Sequence, residues 1–167
     1  MMRTAFLATL LVVLGSWYFH FGRQMSQKSV SAFYAEQTRM MAAMEAEPLC
    51  DTLAEDYHAV DVNFSTAGTQ RTEQDKHGAC KDLAEGFEEF RKLSRISRGL
   101  LTPSFGSQIK SIALSESDKL ATVEGTMTVK IGQVLIARTR FKEQLVCRNG
   151  TIRSLGGQSK SWAYGGR

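Results

Sequence analysis

The stretch "LATVEGTMTVKIGQVLIARTRFKEQLVCRNGTIRSL", Leu120 to Leu155, alternates apolar and polar residues and is broken by turn signals at Gly132 and at Asn149-Gly150. A period of two marks strands, and Asn-Gly is a strong signal for a two-residue hairpin. A three-residue loop at Gly132, Gln133 and Val134 pairs Val129 with Ala137, Met127 with Thr139, Gly125 with Phe141, Val123 with Glu143 and Ala121 with Leu145. The other face then pairs Thr128 with Arg138, Thr126 with Arg140, Glu124 with Lys142 and Thr122 with Gln144. A two-residue loop would set Met127 against Arg138 and mix the faces, so the three-residue loop is preferred. Across Asn149-Gly150, Cys147 pairs with Ile152, Leu145 with Ser154 and Glu143 with Gly156. One face of the predicted antiparallel sheet is therefore apolar, with Glu143 as its single acid, and Gly125 leaves room for the ring of Phe141.

Upstream, Ile109 to Leu114 supplies one more strand, joined by the turn "SESD". Before Pro103 the period is helical. Val30, Phe33, Tyr34, Gln37, Met40, Met41 and Met44 share one helical face between Lys28 and Glu47. Pro48 ends that helix and opens a short second one carrying Leu49, Leu53 and Tyr57. "VDVNF", Val60 to Phe64, alternates as a strand, and "TAGT" supplies a turn. Thr72 and Asp75 form a capping-box pattern ahead of a third helix with Ala79, Leu83, Phe87, Phe90 and Leu93 on one face.

At 167 residues, 43% hydrophobic and 23% charged, the chain fits one α+β domain plus an accessory segment. That segment is "TAFLATLLVVLGSWYFHF", Thr4 to Phe21, flanked by Arg3 and Arg23. As a helix it would be roughly 27 Å long, enough for a bilayer core. It reads as a transmembrane anchor within residues 1–27, with residues 28–167 as the exported domain; a cleaved signal segment is the alternative. The expected setting is a bacterial inner membrane crossed once, with the C-terminal domain in the periplasm. In an oxidising compartment Cys50 and Cys80 could close a disulfide loop, whereas in a reduced one Cys50, Cys80 and Cys147 would be small buried hydrophobes.

The formal charge of +4 is uneven: acids concentrate between Glu36 and Glu89, and cations after Lys119. With no basic run or stacked aromatic pattern, nucleic acid is not an expected partner. No phosphate loop, nucleotide fingerprint or metal spacing is present, so neither cofactor nor metal is expected; His58 and His77 are isolated.

The order of three helices and long antiparallel strands, with "QIKSIALSESDKLATVEGTMTV" leading into "QVLIARTRFKEQLVCRNGTIRSLGG", resembles the nuclear transport factor 2-like superfamily. The resemblance implies a curved sheet wrapped around the helices as a cone, whose open end is often a ligand pocket. "EDYHAVD" resembles the ketosteroid isomerase segment that ends in the catalytic aspartate, which would be Asp61, with Tyr34 at the place of the oxyanion-binding tyrosine. No Asp follows Asp118, so the second oxyanion donor has no counterpart and steroid isomerisation is not implied. Alternation argues against Asp61 as well: with Val60, Val62 and Phe64 toward the core, its carboxylate points away unless a bulge turns it inward.

Glu143 shares the inward pattern of Phe141 and Leu145, and Tyr34, His58 and Trp162 are its expected neighbours around a pocket. The preferred reading is a noncatalytic domain that binds a protein partner or small hydrophobic ligand. An isomerase, dehydratase or cyclase using Asp61 or Glu143 is one alternative. The other is self-association as a homodimer through the polar face of Thr126, Thr128, Arg138 and Arg140.

Overall fold

The computed structural model describes residues 24–66 and 68–164. The expected anchor, Thr4 to Phe21, lies outside them, and among the described residues no helix is long and apolar enough to cross a membrane. Three helices, α1 (Gln27–Ala43), α2 (Ala46–Asp51) and α3 (Lys76–Ile96), accompany six strands. The strands are β1 (Leu53–Ser65), β2 (Gly68–Asp75), β3 (Pro103–Leu114), β4 (Leu120–Ile131), β5 (Val134–Arg148) and β6 (Thr151–Ala163). They form one curved sheet in the order β2-β1-β6-β5-β4-β3, antiparallel except for the β1–β6 pair.

Ser26 caps α1 by accepting from the Ser29 N–H at 3.1 Å, a contact worth about 1 kcal/mol. The helix stops at Ala43, short of the Pro48 stop expected, because Met44 turns into the left-handed region at φ 55° and buries its side chain. Arg91 Nη2 donates to the freed Met44 carbonyl at 2.6 Å. Under α1, Met25, Val30, Tyr34, Ala121, Val123, Leu145 and Cys147 form one core cluster. Complete burial of Val30, Val123 and Leu145 contributes roughly 1.5–3 kcal/mol each. Met41, Met44, Leu49 and Phe87 form a second cluster, with Phe105 and Met127 against it. Met25, ahead of α1, is already part of this core.

The β4–β5 register is the expected one from Ala121↔Leu145 to Val129↔Ala137, including Glu124↔Lys142. The loop differs. Ile131 pairs with Val134, so the turn has two residues, and the register shift between Val129 and Lys130 accounts for the odd residue, Ile136. Gly125 does make room for a ring: a Cβ there would stand 2.5 Å from Phe141 Cζ. Across Asn149-Gly150, Cys147↔Ile152 and Leu145↔Ser154 hold, but Glu143 pairs with Gly157 and Gln144 with Gly156, because Leu155 bulges.

Two expectations between Leu53 and Asp75 are corrected. Leu53 and Tyr57 lie on a strand instead of a helix; a spacing of four shares a face in either element, so it could not distinguish them. "GTQRTEQD" forms edge strand β2, where an apolar face is not required, and Asp75 itself caps α3 by accepting from the Gly78 N–H at 2.8 Å. Cys50 of α2 and Cys80 of α3 are disulfide-bonded, with Cα atoms 5.5 Å apart, while Cys147 is free and buried. In the chain-entropy account such a link adds roughly 3 to 4 kcal/mol.

Gly156 marks the close crossing at which β6, paired with β5 on its other side, meets the β1 backbone. Its φ is +86°, and a Cβ there would lie 2.1 Å from the His58 carbonyl oxygen, a backbone atom that cannot swing aside. Gly156→Ala is expected to cost more than about 2 kcal/mol in urea unfolding; a loss below about 0.5 kcal/mol would show that the crossing has slack.

Candidate functional site

The helices and the inner sheet face enclose a cavity of about 400 Å³. Tyr34, Gln37 and Met41 come from α1, Leu49 from α2, and Ala79 and Leu83 from α3. The sheet contributes Tyr57, Ala59 and Asp61 of β1, Gln74 of β2, Met127 of β4 and Thr139, Phe141 and Glu143 of β5. The disulfide joins two of these walls next to the lining residues Leu49 and Ala79.

Glu143 sits on β5 between Phe141 and Leu145, as the alternation predicts. Tyr34 donates its hydroxyl hydrogen to Glu143 Oε2, and Ser154 donates to Oε1. The Gly156 N–H in turn donates to Ser154 Oγ at 3.0 Å. Ser154 is 0% exposed and pairs with inward-facing Leu145, which puts its hydroxyl on the inner face diagonal to Glu143. Burial pushes the Glu143 carboxyl above its ordinary value, and the two hydroxyl donors pull against that. Burial, then the Glu143 charge, pushes Tyr34 well above the usual phenol range. Tyr34 also stacks on Phe141 with ring centroids 5.6 Å apart.

Asp61 lies inside the cavity, which reverses the expectation from alternation. Val60, Val62 and Phe64 occupy the outer face instead, where Phe64 stacks on Trp162 at 5.5 Å and Arg140 covers the Trp162 ring. A strand's period of two separates two faces without saying which is inner; here pairing with Ser159 and Thr72 decides. Asp61 Oδ1 is buried and has no hydrogen-bond partner. Desolvation raises its pKa. Tyr57 is pushed up to about 12 by burial first, then by the Glu143 and Asp61 charges.

Of the expected pocket residues, Tyr34, Phe141, Glu143 and Asp61 are brought together. His58 and Trp162 do not line this cavity: His58 is exposed, and Trp162 belongs to the outer face with Phe64. Lys142 contributes to the lining, but its ammonium group is turned out to Glu124 at 3.1 Å. Tyr57 and Ser154 were not foreseen as site residues; the pairing of Ser154 with inward-facing Leu145 was the available signal for Ser154. Among the described residues no group of His, Cys, Asp and Glu could hold a metal ion.

Neither protein-family models nor curated sequences match the chain. Solved structures do. A candidate scytalone dehydratase from Novosphingobium aromaticivorans matches with a TM-score of 0.57 at 12% identity, over 84% of this chain and 88% of that one. The β subunit of a candidate aromatic-ring-hydroxylating dioxygenase from the same organism matches at 0.56 and 12%, over 84% and 90%. A nuclear transport factor 2-like protein of unknown function from Pseudomonas putida matches at 0.51 and 9%, over 80% and 84%. The likeness is one of fold, and the fold is nuclear transport factor 2-like.

Glu143 gives a pH test. Its ordinary value is 4.5 and its folded value is higher, so as pH rises the unfolded chain deprotonates first and the folded state loses free energy relative to it. Glu143→Gln cannot ionise there. The stability difference between the two proteins should move toward the variant between about pH 4 and the folded value, by about 1.4 kcal/mol per pH unit, and then level off. Parallel urea-unfolding profiles from about pH 4 to about pH 8 would contradict a raised Glu143.

Proposed function

We propose that the cone binds a small, mostly apolar molecule, with Asp61 as its polar contact. The observation that carries this is the buried, unpartnered oxygen of Asp61, a residue that lines a cavity whose exposed wall is mostly apolar. A buried acceptor without a partner costs about 1–3 kcal/mol, and a bound donor would remove that cost. Acid–base turnover would use the same oxygen. The opposing Tyr34–Glu143 pair is closed on itself, however, with the phenol hydrogen given to the acid, and this favours binding over catalysis.

N-phenyl-1-naphthylamine, a neutral apolar fluorophore, should brighten on entering the cavity. Leu83→Trp, which fills it, should weaken that binding on the order of tenfold or more. No enhancement in the parent protein, or an unaffected Leu83→Trp, would sink the cavity reading.

We also propose that this domain is held outside the cytoplasm by the Thr4–Phe21 anchor. The length and apolarity of that segment support it, as does the Cys50–Cys80 bond, which belongs to an oxidising compartment. Fractionation should find the uncleaved mass with the membrane and, after unfolding, one titratable thiol from Cys147. A soluble protein with three thiols would overturn it.

A further inference from the structure

We propose that the cavity's ligand class is the lipophilic amine, bound as its ammonium ion with Asp61 as counter-ion. The inference rests on the reading of the cone as a small-molecule site. It comes from a census of what the walls offer.

Several of the side-chain hydrogens around the cavity are committed elsewhere, and none of the lining side chains presents a cation to it. Tyr34 donates to Glu143, so its oxygen has only lone pairs left to offer. Gln37 Nε2 donates to Thr52 Oγ1 at 3.1 Å, and Thr52 spends its own hydrogen on the Leu49 carbonyl at 2.6 Å. Gln74 Nε2 donates to Asp82, and Thr139 Oγ1 is paired with Ser161 Oγ at 2.9 Å. Tyr57, Ser159, Gln158 and the second amide N–H of Gln37 and of Gln74 remain as donors, all of them neutral. Against them stand the buried, unpartnered Asp61 Oδ1 and the Tyr34 oxygen, which need a donor.

Charge points the same way. Two acids, Asp61 and Glu143, line the cavity, and the one lysine among its lining residues has its ammonium on the outer face with Glu124. An anion entering would meet carboxyl groups with no cation to offset them, and a neutral acceptor would leave Asp61 unanswered. An ammonium group supplies both N–H donors and positive charge. Both oxygens of Glu143 are already occupied by Tyr34 and Ser154, so the counter-ion role falls to Asp61. The rings of Tyr34, Tyr57 and Phe141 suit the flank of such a cation, and Met41, Leu49, Leu83 and Met127 suit its apolar body.

The test is calorimetry on the full-length protein near neutral pH with three matched probes: 4-phenylbutylamine, 4-phenylbutanol and 4-phenylbutanoate. The amine should bind on the order of tenfold or more tightly than the alcohol, with the carboxylate weakest. Asp61→Asn should abolish that preference. Should Asp61→Asn fail to fold, displacement of N-phenyl-1-naphthylamine from the unaltered protein gives the same amine-to-alcohol ratio. If the alcohol or the carboxylate equals the amine while the fluorophore still enters, the amine assignment is wrong and the small-molecule cavity stands. An amine preference retained in folded Asp61→Asn would remove Asp61 as counter-ion. Failure of the fluorophore and all three probes would overturn both readings together.

Discussion

The site depends on the double duty of β6, which must pair antiparallel with β5 on one side and parallel with β1 on the other. Meeting both partners brings the His58 and Lys142 carbonyls against the β6 backbone at Gly156 and Gly157, where a Cβ would lie 2.1 Å and 2.2 Å from them. Only glycine allows that approach. The Leu155 bulge just before it resets the register, and the reset places Gly157 opposite Glu143, while Ser154, opposite Leu145, donates to the same carboxyl. On the far side, the same crossing sets Asp61 against Ser159 and so turns its carboxylate inward.

Two acids thus share one cavity in opposite states of satisfaction. Glu143 is partly buried and has a hydroxyl donor on each oxygen, one of them tied to the backbone through Gly156. Such a network is costly to break and fixes the Tyr34 ring against Phe141. Asp61 is less deeply placed yet carries a buried oxygen with no partner. Unsatisfied buried polar atoms are uncommon enough in folded proteins to call for an explanation, and of the three side chains with such an atom among the described residues Asp61 is the one that lines this cavity. The two acids are therefore told apart by their hydrogen bonds, although burial raises the pKa of both.

The helical wall opposite the sheet is assembled from short pieces. Helix α2 spans Ala46–Asp51 only, too short to be stable alone, and is held by Leu49 in the second core cluster and by the disulfide to α3. Arg91 of α3 ties the end of α1 to the same corner through the Met44 carbonyl. These links set the cavity's width from the helical side, while the two-residue turn and the Ile136 irregularity shape the far end of the sheet.

Much of the fold was legible in the residues, because alternation and turn chemistry are local. The β4–β5 register followed from keeping Ala121, Val123 and Met127 on one face, and Glu143 could be placed inside with them. Two local patterns were ambiguous for stated reasons. Leu53 and Tyr57 satisfy both a helical and an extended period, and the polar stretch Gly68 to Asp75 shows no apolar face because it lies at an edge. By itself the sequence determined the strand type over Ile109 to Leu155, the β4–β5 pairing from Ala121 to Val129 and the place of Glu143 on the inner face. The start of β3 at Pro103, the two-residue turn and the Glu143↔Gly157 pair came from the structure. Which face of β1 is inner was decided by tertiary structure alone. Alternation carries no absolute sign, and the sign for Asp61 is set by a partner strand almost a hundred residues away, through a bulge and two glycines whose register no local pattern records.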